Sequence, residues 1–201
     1  PKVKLAYFHL GRYKFRKKKY EEALEWFKKI DLYDLTNEEL AEYYFKTGYS
    51  HFKEENLEKA SSAFYEIKDT DNKFSATSKY YYAHIAYLEK KYESALQTFK
   101  RLEDDEKFAP IVPYYITQIY YLQKKYAKVI EYTPALLEKS IPKRSAEIAR
   151  LLGESYYNTK KYSEAIPYLK RHHKEKPHNA NRSDKYQLGY AYYKSDSCDL
   201  A

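Results

Sequence analysis

The side chains that could do acid–base or metal chemistry do not form a recognisable catalytic set in this 201-residue chain. His172 and His173, with His178 nearby, could suggest a metal site. Adjacent residues on a helix point about 100° apart, and no cysteine or carboxylates complete a ligand shell, so we interpret them as surface histidines. Asp69-Thr70-Asp71-Asn72 is similar to the start of a calcium loop but lacks the following Gly and the distant Glu, which predicts a turn instead.

Nucleophilic and phosphate-binding chemistry is not indicated either. The sequence contains no Gly-rich phosphate loop and no nucleophile elbow. The single cysteine, Cys198, has no basic catalytic partner close in sequence and cannot form an internal disulfide. We therefore predict a protein that is not an enzyme and that uses no metal or cofactor.

One short phrase of sequence recurs along the chain. Residues 90–99 combine two lysines and a tyrosine with an Ala-Leu pair and a later Phe. Residues 18–27 follow the same pattern, and residues 160–169 follow it with Ile in place of the Leu and Leu in place of the Phe. Looser copies occur at 124–130 and 55–60. This recurrence predicts a repeat protein, in which a tight basic turn precedes an amphipathic helix in each copy.

Two ranks of small residues keep a constant offset within these copies. The rank inside the phrase recurs at intervals of 37, 35, 34, 36 and 36 residues: Ala23, Ala60, Ala95, Val129, Ala165 and Ala201. The other rank lies twelve residues earlier: Gly11, Gly48, Ala83, Thr117, Gly153 and Gly189. Small residues are needed where two helix axes approach closely, so each repeat is predicted to be a pair of packed helices, A and B.

The periodicity places these helices approximately. We predict A helices over 4–16, 38–53, 75–89, 110–123, 143–158 and 182–195, and B helices over 20–30, 57–68, 92–103, 126–139 and 162–174. Thr36 is the predicted N-cap of the second A helix, and Pro110 and Pro113 should lie in the first turn of the fourth. Pro134 should kink or break its B helix, whereas Pro167 should be tolerated one turn into its own.

The composition allows a packed, positively charged protein. The net charge is +8, and it is spread evenly, with 19 Lys and Arg against 16 Asp and Glu before residue 101 and 18 against 13 after it. An even spread does not favour a nucleic-acid partner. The sequence shows no membrane span and no signal peptide, and because it contains no Met we expect a fragment of a longer protein. The abundance of Lys and Tyr is typical of a bacterial protein.

The pattern resembles the tetratricopeptide repeat (TPR) family along essentially the whole chain. The matching residues are Leu10-Gly11 with Tyr20, Ala23 and Phe27, Gly48 with Leu57, Ala60 and Phe64, Tyr82-Ala83 with Tyr92, Ala95 and Phe99, Leu152-Gly153 with Tyr156, Tyr162 and Ala165, and Leu188-Gly189 with Tyr192. The resemblance implies an all-α, right-handed superhelical solenoid of antiparallel helix pairs. The repeats would span 4–37, 38–74, 75–109, 110–143 and 144–181, with a partial sixth at 182–201.

The chain departs from the family at two kinds of position. The family often has Gly in the A–B turn, where this sequence has Lys18, Glu55, Lys90, Lys124 and Lys160. The fourth repeat has Thr117 and Val129 in the two small ranks and Pro134 inside helix B, so its geometry is the least regular.

The resemblance also implies that a protein or peptide partner binds a concave face lined by the A helices. The candidate residues are counted from the small residues of the A helices, such as Gly11 and Gly48. Each candidate lies three residues before, one residue after or four residues after one of these positions. The candidates are Phe8, Arg12, Phe15, Phe45, Tyr49, Phe52, Tyr80, His84, Tyr87, Tyr114, Gln118, Tyr121, Arg150, Glu154, Tyr157, Tyr186, Tyr190 and Tyr193. Aromatic rings would supply contact area at low entropic cost, and the variable polar residues would supply specificity.

Three alternatives stay open at this level. The aromatic residues could instead pack neighbouring A helices, and the segment could be a structural spacer in a longer solenoid, with self-association through its truncated end. The basic cluster at 12–19 could bind nucleic acid or an anionic membrane. Arrays of this family occur in the cytoplasm, the periplasm and the cell envelope, and the sequence selects none of these compartments.

Overall fold

A computed structural model of the chain describes residues 2–139, 142–175 and 182–195, with side chains described for 6–137, 144–175 and 182–195. All regular secondary structure within these residues is helical. The chain forms two compact units, Pro1–Leu102 and Glu103–Ala201. His178, Cys198 and Ala201, which were named in the sequence analysis, lie outside the described residues.

The first unit contains three antiparallel helix pairs. Their helices are α1 (Lys2–Arg16), α2 (Tyr20–Phe27), α3 (Asn37–Lys53), α4 (Leu57–Ile67), α5 (Ser75–Leu88) and α6 (Tyr92–Lys100), with a short 3₁₀ helix at Leu32–Asp34. The predicted N-cap is confirmed, since Thr36 and Glu39 form a reciprocal capping box at the start of α3. The B helices α2 and α6 end about three residues earlier than the periodicity predicts.

The second unit continues the alternation of A and B helices. It contains α7 (Val112–Leu122), α8 (Tyr126–Tyr132), α9 (Pro134–Lys139), α10 (Pro142–Asn158), α11 (Tyr162–Glu175) and α12 (Arg182–Lys194). The predicted break at Pro134 is confirmed, because α8 and α9 divide at this residue. Pro167 lies inside a continuous α11, as expected. Pro113 lies in the first turn of α7, whereas Pro110 precedes the helix.

The A–B turns share one backbone conformation. The five residues that occupy the family's glycine position all have positive φ, between 57° and 61°: Lys18, Glu55, Lys90, Lys124 and Lys160. In the first turn the amide of Lys19 donates to the Lys14 carbonyl at 3.0 Å and that of Lys18 donates to the Phe15 carbonyl at 2.9 Å. This pair of bonds is a Schellman motif, which reverses the chain and starts the B helix within three residues.

In three helix pairs, the glycine of the A helix faces a bulky residue sixteen positions later in the B helix. A Cβ added to Gly11 would lie within 2.9 Å of three ring carbons of Phe27, and one added to Gly48 would lie 3.0 Å from the Phe64 ring. In α10 the same position, Gly153, faces Leu169, including its backbone nitrogen at 3.0 Å. The glycines therefore allow the A and B helices to approach closely while Phe27, Phe64 and Leu169 are fully buried.

In the predicted fourth repeat, Thr117 stands at the position of the A-helix glycine. Thr117 faces Thr133, sixteen residues later, and their hydroxyl oxygens lie 3.3 Å apart in the buried interior. The spacing is that of Gly11 and Phe27, so a buried hydrogen bond between two β-branched residues replaces the glycine–aromatic contact. Thr133 also directly precedes the break at Pro134.

Candidate partner-binding face

In the first unit, the nine predicted face residues fall into three contact groups: Phe8 with Arg12, Phe15 and Phe45 with Tyr49, and Phe52, Tyr80 and Tyr87 with His84. Along each helix the residues touch their neighbours one turn away; the Arg12 guanidinium lies 4.2 Å from the Phe8 ring centre, and the stacked rings of Tyr80 and His84 are 5.9 Å apart. Between helices, the contacts are Phe15 against Tyr49 at 5.6 Å and Phe52 against His84 at 6.0 Å. Tyr81 contacts both Tyr49 and Phe52 and so joins the two larger groups into one aromatic surface.

The nine predicted residues differ in how far they are open to solvent. Phe8 is fully buried and packs in the core with Ala23 and Phe27. The remaining eight side chains are half-buried. Phe8 therefore lies beneath the face, whereas the half-buried rings keep solvent-accessible area that a partner could contact.

Charged side chains border the aromatic surface, and two of them were missed by the sequence analysis. Arg12 donates to both carboxylate oxygens of Glu42, at 2.8 and 2.5 Å, and Lys46 lies 3.5 Å from the same carboxylate. The Lys46 ammonium also lies 4.3 Å from the Phe15 ring centre, and burial lowers its pKa. Glu42 stands three residues before Phe45, so the i, i+3 helical spacing was the signal that could have found it.

In the second unit, the central part of the face is a polar network. Tyr121 donates a hydrogen bond to Glu154, which is almost fully buried, and Arg150 contacts Glu154 at 2.5 Å and Glu147 at 2.6 Å. Burial raises the pKa of Tyr121, and its bond to Glu154 raises it further. Burial alone would lower the pKa of Arg150, but its two carboxylate partners raise it. Glu147 is a further residue that the sequence analysis missed.

The helix α7 contributes one further contact to this face. The side-chain amide of Gln118 donates to the Tyr114 hydroxyl at 2.7 Å. Both side chains are half-buried.

The last described helix presents the most accessible part of the face. Tyr190 packs against Tyr157 at 5.9 Å and lies between Tyr186 and Tyr193 on α12. Tyr186 is 64% exposed and Tyr193 is 58% exposed. Large aromatic rings exposed to this degree are candidates for contact with another molecule.

One rank of the face also has a structural role. The aromatic residue four positions after the small residue packs against the first residue of its B helix in four repeats: Phe15–Tyr20, Tyr87–Tyr92, Tyr121–Tyr126 and Tyr157–Tyr162, with ring centres 5.5–6.2 Å apart. These contacts fix the B helix against the A helix of the same repeat. The packing between neighbouring A helices that the sequence left open is a separate set of contacts, such as Phe15 against Tyr49 and Phe52 against His84.

The basic cluster at residues 12–19 is partly neutralised within the fold. Lys14 and Lys19 both pair with Glu22, and Arg12 pairs with Glu42. Exposed ion pairs of this kind contribute little to stability, but they reduce the charge available to an anionic partner.

The interpretation of the paired histidines as surface residues is wrong for His172. This side chain is 2% exposed, its Nδ1 lies 3.0 Å from the Ala146 carbonyl oxygen, and its Nε2 lies 3.7 Å from buried Asp184. His173 is half-buried, and burial lowers its pKa. Within the described residues, no group of three or more His, Cys, Asp or Glu side chains is placed to hold a metal ion. His172 is buried and not exposed as predicted because it lies on the face of α11 that packs against α10 and α12.

Comparison with known proteins supports the fold and leaves the family assignment open. No protein-family model matches the chain, and no curated protein matches it in sequence. Across the described helices, none is long and apolar enough to cross a membrane.

Solved structures do match. A crystal structure of MamA protein is 18% identical, with a TM-score of 0.70 over 88% of this chain and 93% of that one. The C-terminal part of a TPR repeat-containing protein from Cytophaga hutchinsonii is 17% identical, with a TM-score of 0.70 over 94% of this chain and 71% of that one. The apo form of RapI is 17% identical, with a TM-score of 0.63 over 96% of this chain and 59% of that one. The chain therefore has an all-helical, TPR-like repeat fold.

Proposed function

We propose that the chain is a non-catalytic scaffold of five TPR repeats and part of a sixth, which binds a protein or peptide on its A-helix face. The observation that carries this proposal is the joined aromatic surface of the first unit, in which all seven predicted residues keep solvent-accessible area. Its rings are fixed by packing on one another, so they would lose little further conformational entropy when a partner covers them.

The polar residues of the face suit peptide recognition better than catalysis. The Arg12–Glu42 and Arg150–Glu147 pairs are preformed and partly shielded from water. Such pairs orient a ligand through hydrogen bonds and suppress wrong partners. The pKa shifts of Tyr121 and Arg150 are caused by burial and by their own hydrogen-bond and ion-pair partners, and the Tyr121 hydroxyl donates to Glu154.

The test is selection of binding peptides from a random phage-displayed library on the immobilised 201-residue chain. The selected peptides are then titrated against Tyr186→Ser, which removes a face ring that is 64% exposed, and Tyr65→Ser, which removes a ring that is 59% exposed on the B helix α4. We expect at least a tenfold loss of affinity for Tyr186→Ser and less than a twofold change for Tyr65→Ser. A loss confined to Tyr65→Ser would overturn the proposed face.

A second arm addresses the half-buried part of the surface. The double variant Tyr87→Ala, Tyr121→Ala should abolish peptide capture while its circular dichroism spectrum stays helical. Unchanged capture by this folded variant would contradict the proposal.

The second candidate function is a structural spacer. The four repeated ring contacts between A and B helices favour it, because they give the aromatic residues a role that requires no partner. A library that yields no peptide binding above that of the bare support would favour the spacer over the binding scaffold.

A further inference from the structure

Three chain segments come together at one end of the second unit. The Tyr121 hydroxyl bonds to Glu154, so the end of α7 lies beside the last turn of α10. The hydroxyl of Ser163, at the start of α11, lies 3.2 Å from that of Ser195, directly after α12. The turn after α7, the turn after α10 and the end of α12 therefore form one edge of this unit.

This edge carries a concentrated positive charge, which we call the lysine edge. It consists of Lys124, Lys125, Lys160, Lys161 and Lys194, all solvent-exposed. The sequence has no acidic residue within 122–128 or 158–163. In sequence, these segments are flanked by Glu131, which pairs with Lys128 at 3.4 Å, by the buried Glu154 and by the exposed Glu164, while Asp196 follows α12 outside the described residues.

Two of the three corresponding turns of the first unit contain acids, whereas the turn between α1 and α2 carries Lys17, Lys18 and Lys19, of which Lys19 pairs with Glu22. The turn between α3 and α4 carries Glu54 and Glu55, and the turn between α5 and α6 has Glu89 paired with Lys91 at 2.7 Å. Within the first unit no two neighbouring A–B turns lack acidic residues, whereas both A–B turns of the second unit do.

Apolar side chains are exposed among these lysines. Leu122, the last residue of α7, is 48% exposed two residues before Lys124, and Tyr193 is 58% exposed directly before Lys194. The Lys194 ammonium lies 5.4 Å from the Tyr193 ring centre. Lysines with apolar neighbours suit the interface between water and lipid, where the stem and ring enter the apolar layer and the ammonium stays among the headgroups.

The same residues favour a lipid surface over nucleic acid. No arginine occurs within 122–128, 158–163 or 193–195. The tyrosines that follow the two turns, Tyr126 and Tyr162, already pack against Tyr121 and Tyr157. Their rings are engaged within the fold, so they do not form an open platform on which bases could stack.

We propose that the lysine edge docks the protein on an anionic lipid surface as a peripheral contact. The lysines of this edge are not among the predicted peptide-binding residues, and only Tyr193 belongs to both sets, so the docking stands whether or not that face binds a partner. Each lysine close to such a surface contributes about fivefold to binding. Three of them together contribute about a hundredfold at low salt.

The test is sedimentation of the full 201-residue chain with vesicles of phosphatidylcholine containing about one third phosphatidylglycerol, in 50 mM salt. The variant Lys124→Gln, Lys160→Gln, Lys161→Gln is compared with Lys18→Gln, Lys90→Gln, Lys91→Gln. Each set removes three charges, and two residues in each set have the same positive φ. We expect about a hundredfold weaker binding for the first set and less than a fivefold change for the control set.

A second pair of variants separates lipid from other anions. Leu122→Ser is compared with Leu88→Ser, because the two leucines end α7 and α5 and are 48% and 47% exposed. Leu122→Ser alone should weaken vesicle binding. The proposal fails if the chain ignores anionic vesicles or if both lysine sets weaken binding equally. It also fails if a 20-nucleotide DNA binds more tightly than the vesicles and is insensitive to Leu122→Ser, which would identify nucleic acid as the partner.

Discussion

The close approach of the A and B helices predicts a graded response to alanine at the glycine positions. An alanine in a helix interior is normally more stable than glycine by about 1 kcal/mol. The added methyl group must also fit, and overpacking a core costs about 1–3 kcal/mol. The balance between these effects is set by what the new Cβ meets, which differs among Gly11, Gly48 and Gly153.

Gly48→Ala should be nearly neutral. Its Cβ would lie 3.0 Å from the Phe64 ring and 3.2 Å from the Ala63 Cβ, so shifts of a few tenths of an ångström make room and offset the gain in helix propensity. Gly11→Ala meets three carbons of the Phe27 ring, which is 1% exposed and held in the core, and should lose about 1–2 kcal/mol. Gly153→Ala meets the Leu169 backbone, which moves only with α11, and should lose at least as much.

Urea denaturation measured by two probes tests this order. Circular dichroism reports on both units, whereas the single tryptophan, Trp26, lies in α2 and packs against Tyr7 at 5.8 Å, so its fluorescence reports on the first repeat. Gly11→Ala should lower the midpoint of the fluorescence transition, and Gly153→Ala should affect the dichroism more than the fluorescence. If Gly11→Ala and Gly153→Ala both raise stability, as an exposed helical glycine would on replacement, the packing argument is refuted.

Three further predictions concern single positions. Lys90→Gly should raise the midpoint of thermal unfolding. The glycine relieves about 1–2 kcal/mol of strain in the left-handed backbone, which exceeds the cost of about 0.5–1 kcal/mol from the greater entropy of the unfolded chain. A lowered midpoint would contradict this. Thr117→Val or Thr133→Val alone should lower the free energy of unfolding by about 1–3 kcal/mol, because each leaves a buried hydroxyl unpaired. The double variant should lose less than the sum of the two single losses. Additive losses in urea denaturation would show that the hydrogen bond is unimportant. Burial lowers the pKa of His84. The stability that the neutral side chain contributes is therefore fully present above the unfolded-state pKa, near 6.5, and is lost as the pH falls. His84→Phe should therefore lose less stability than the parent chain between pH 7.5 and 5.5, by up to about 1 kcal/mol in urea titrations, and equal losses would refute this.

Local features were predicted well because their causes lie within a few residues. The alternation of A and B helices follows from apolar periodicity, and the capping box at Thr36 follows from its own side chain and that of Glu39. The break at Pro134 follows from the missing amide hydrogen and the ring clash. The offset of the small ranks indicated where helices approach, although it did not reveal that Thr133 would face Thr117.

The prediction of the candidate face named positions on the A helices but did not identify the ion pairs formed there. Helical spacing placed Arg12 and Arg150 on the A helices. Their ion-pair partners, Glu42 and Glu147, depend on how one side chain reaches across to another and were not identified. Phe8 was assigned to the same face as Phe45, yet it is fully buried. Spacing along one helix gives the direction of a side chain, whereas its exposure depends on the helices that pack around it.

The sequence by itself determined the repeat, the paired helices and the turns at which Lys18, Lys90 and Lys124 take the place of glycine. These features depend on local sterics and on a period that the chain repeats. Only the tertiary structure decided that His172 would be buried beside Asp184 and that the lysines of separate turns would form one edge. The physical reason is that residues far apart in sequence meet only after rotation and translation of whole helices against one another, and no local pattern specifies that geometry.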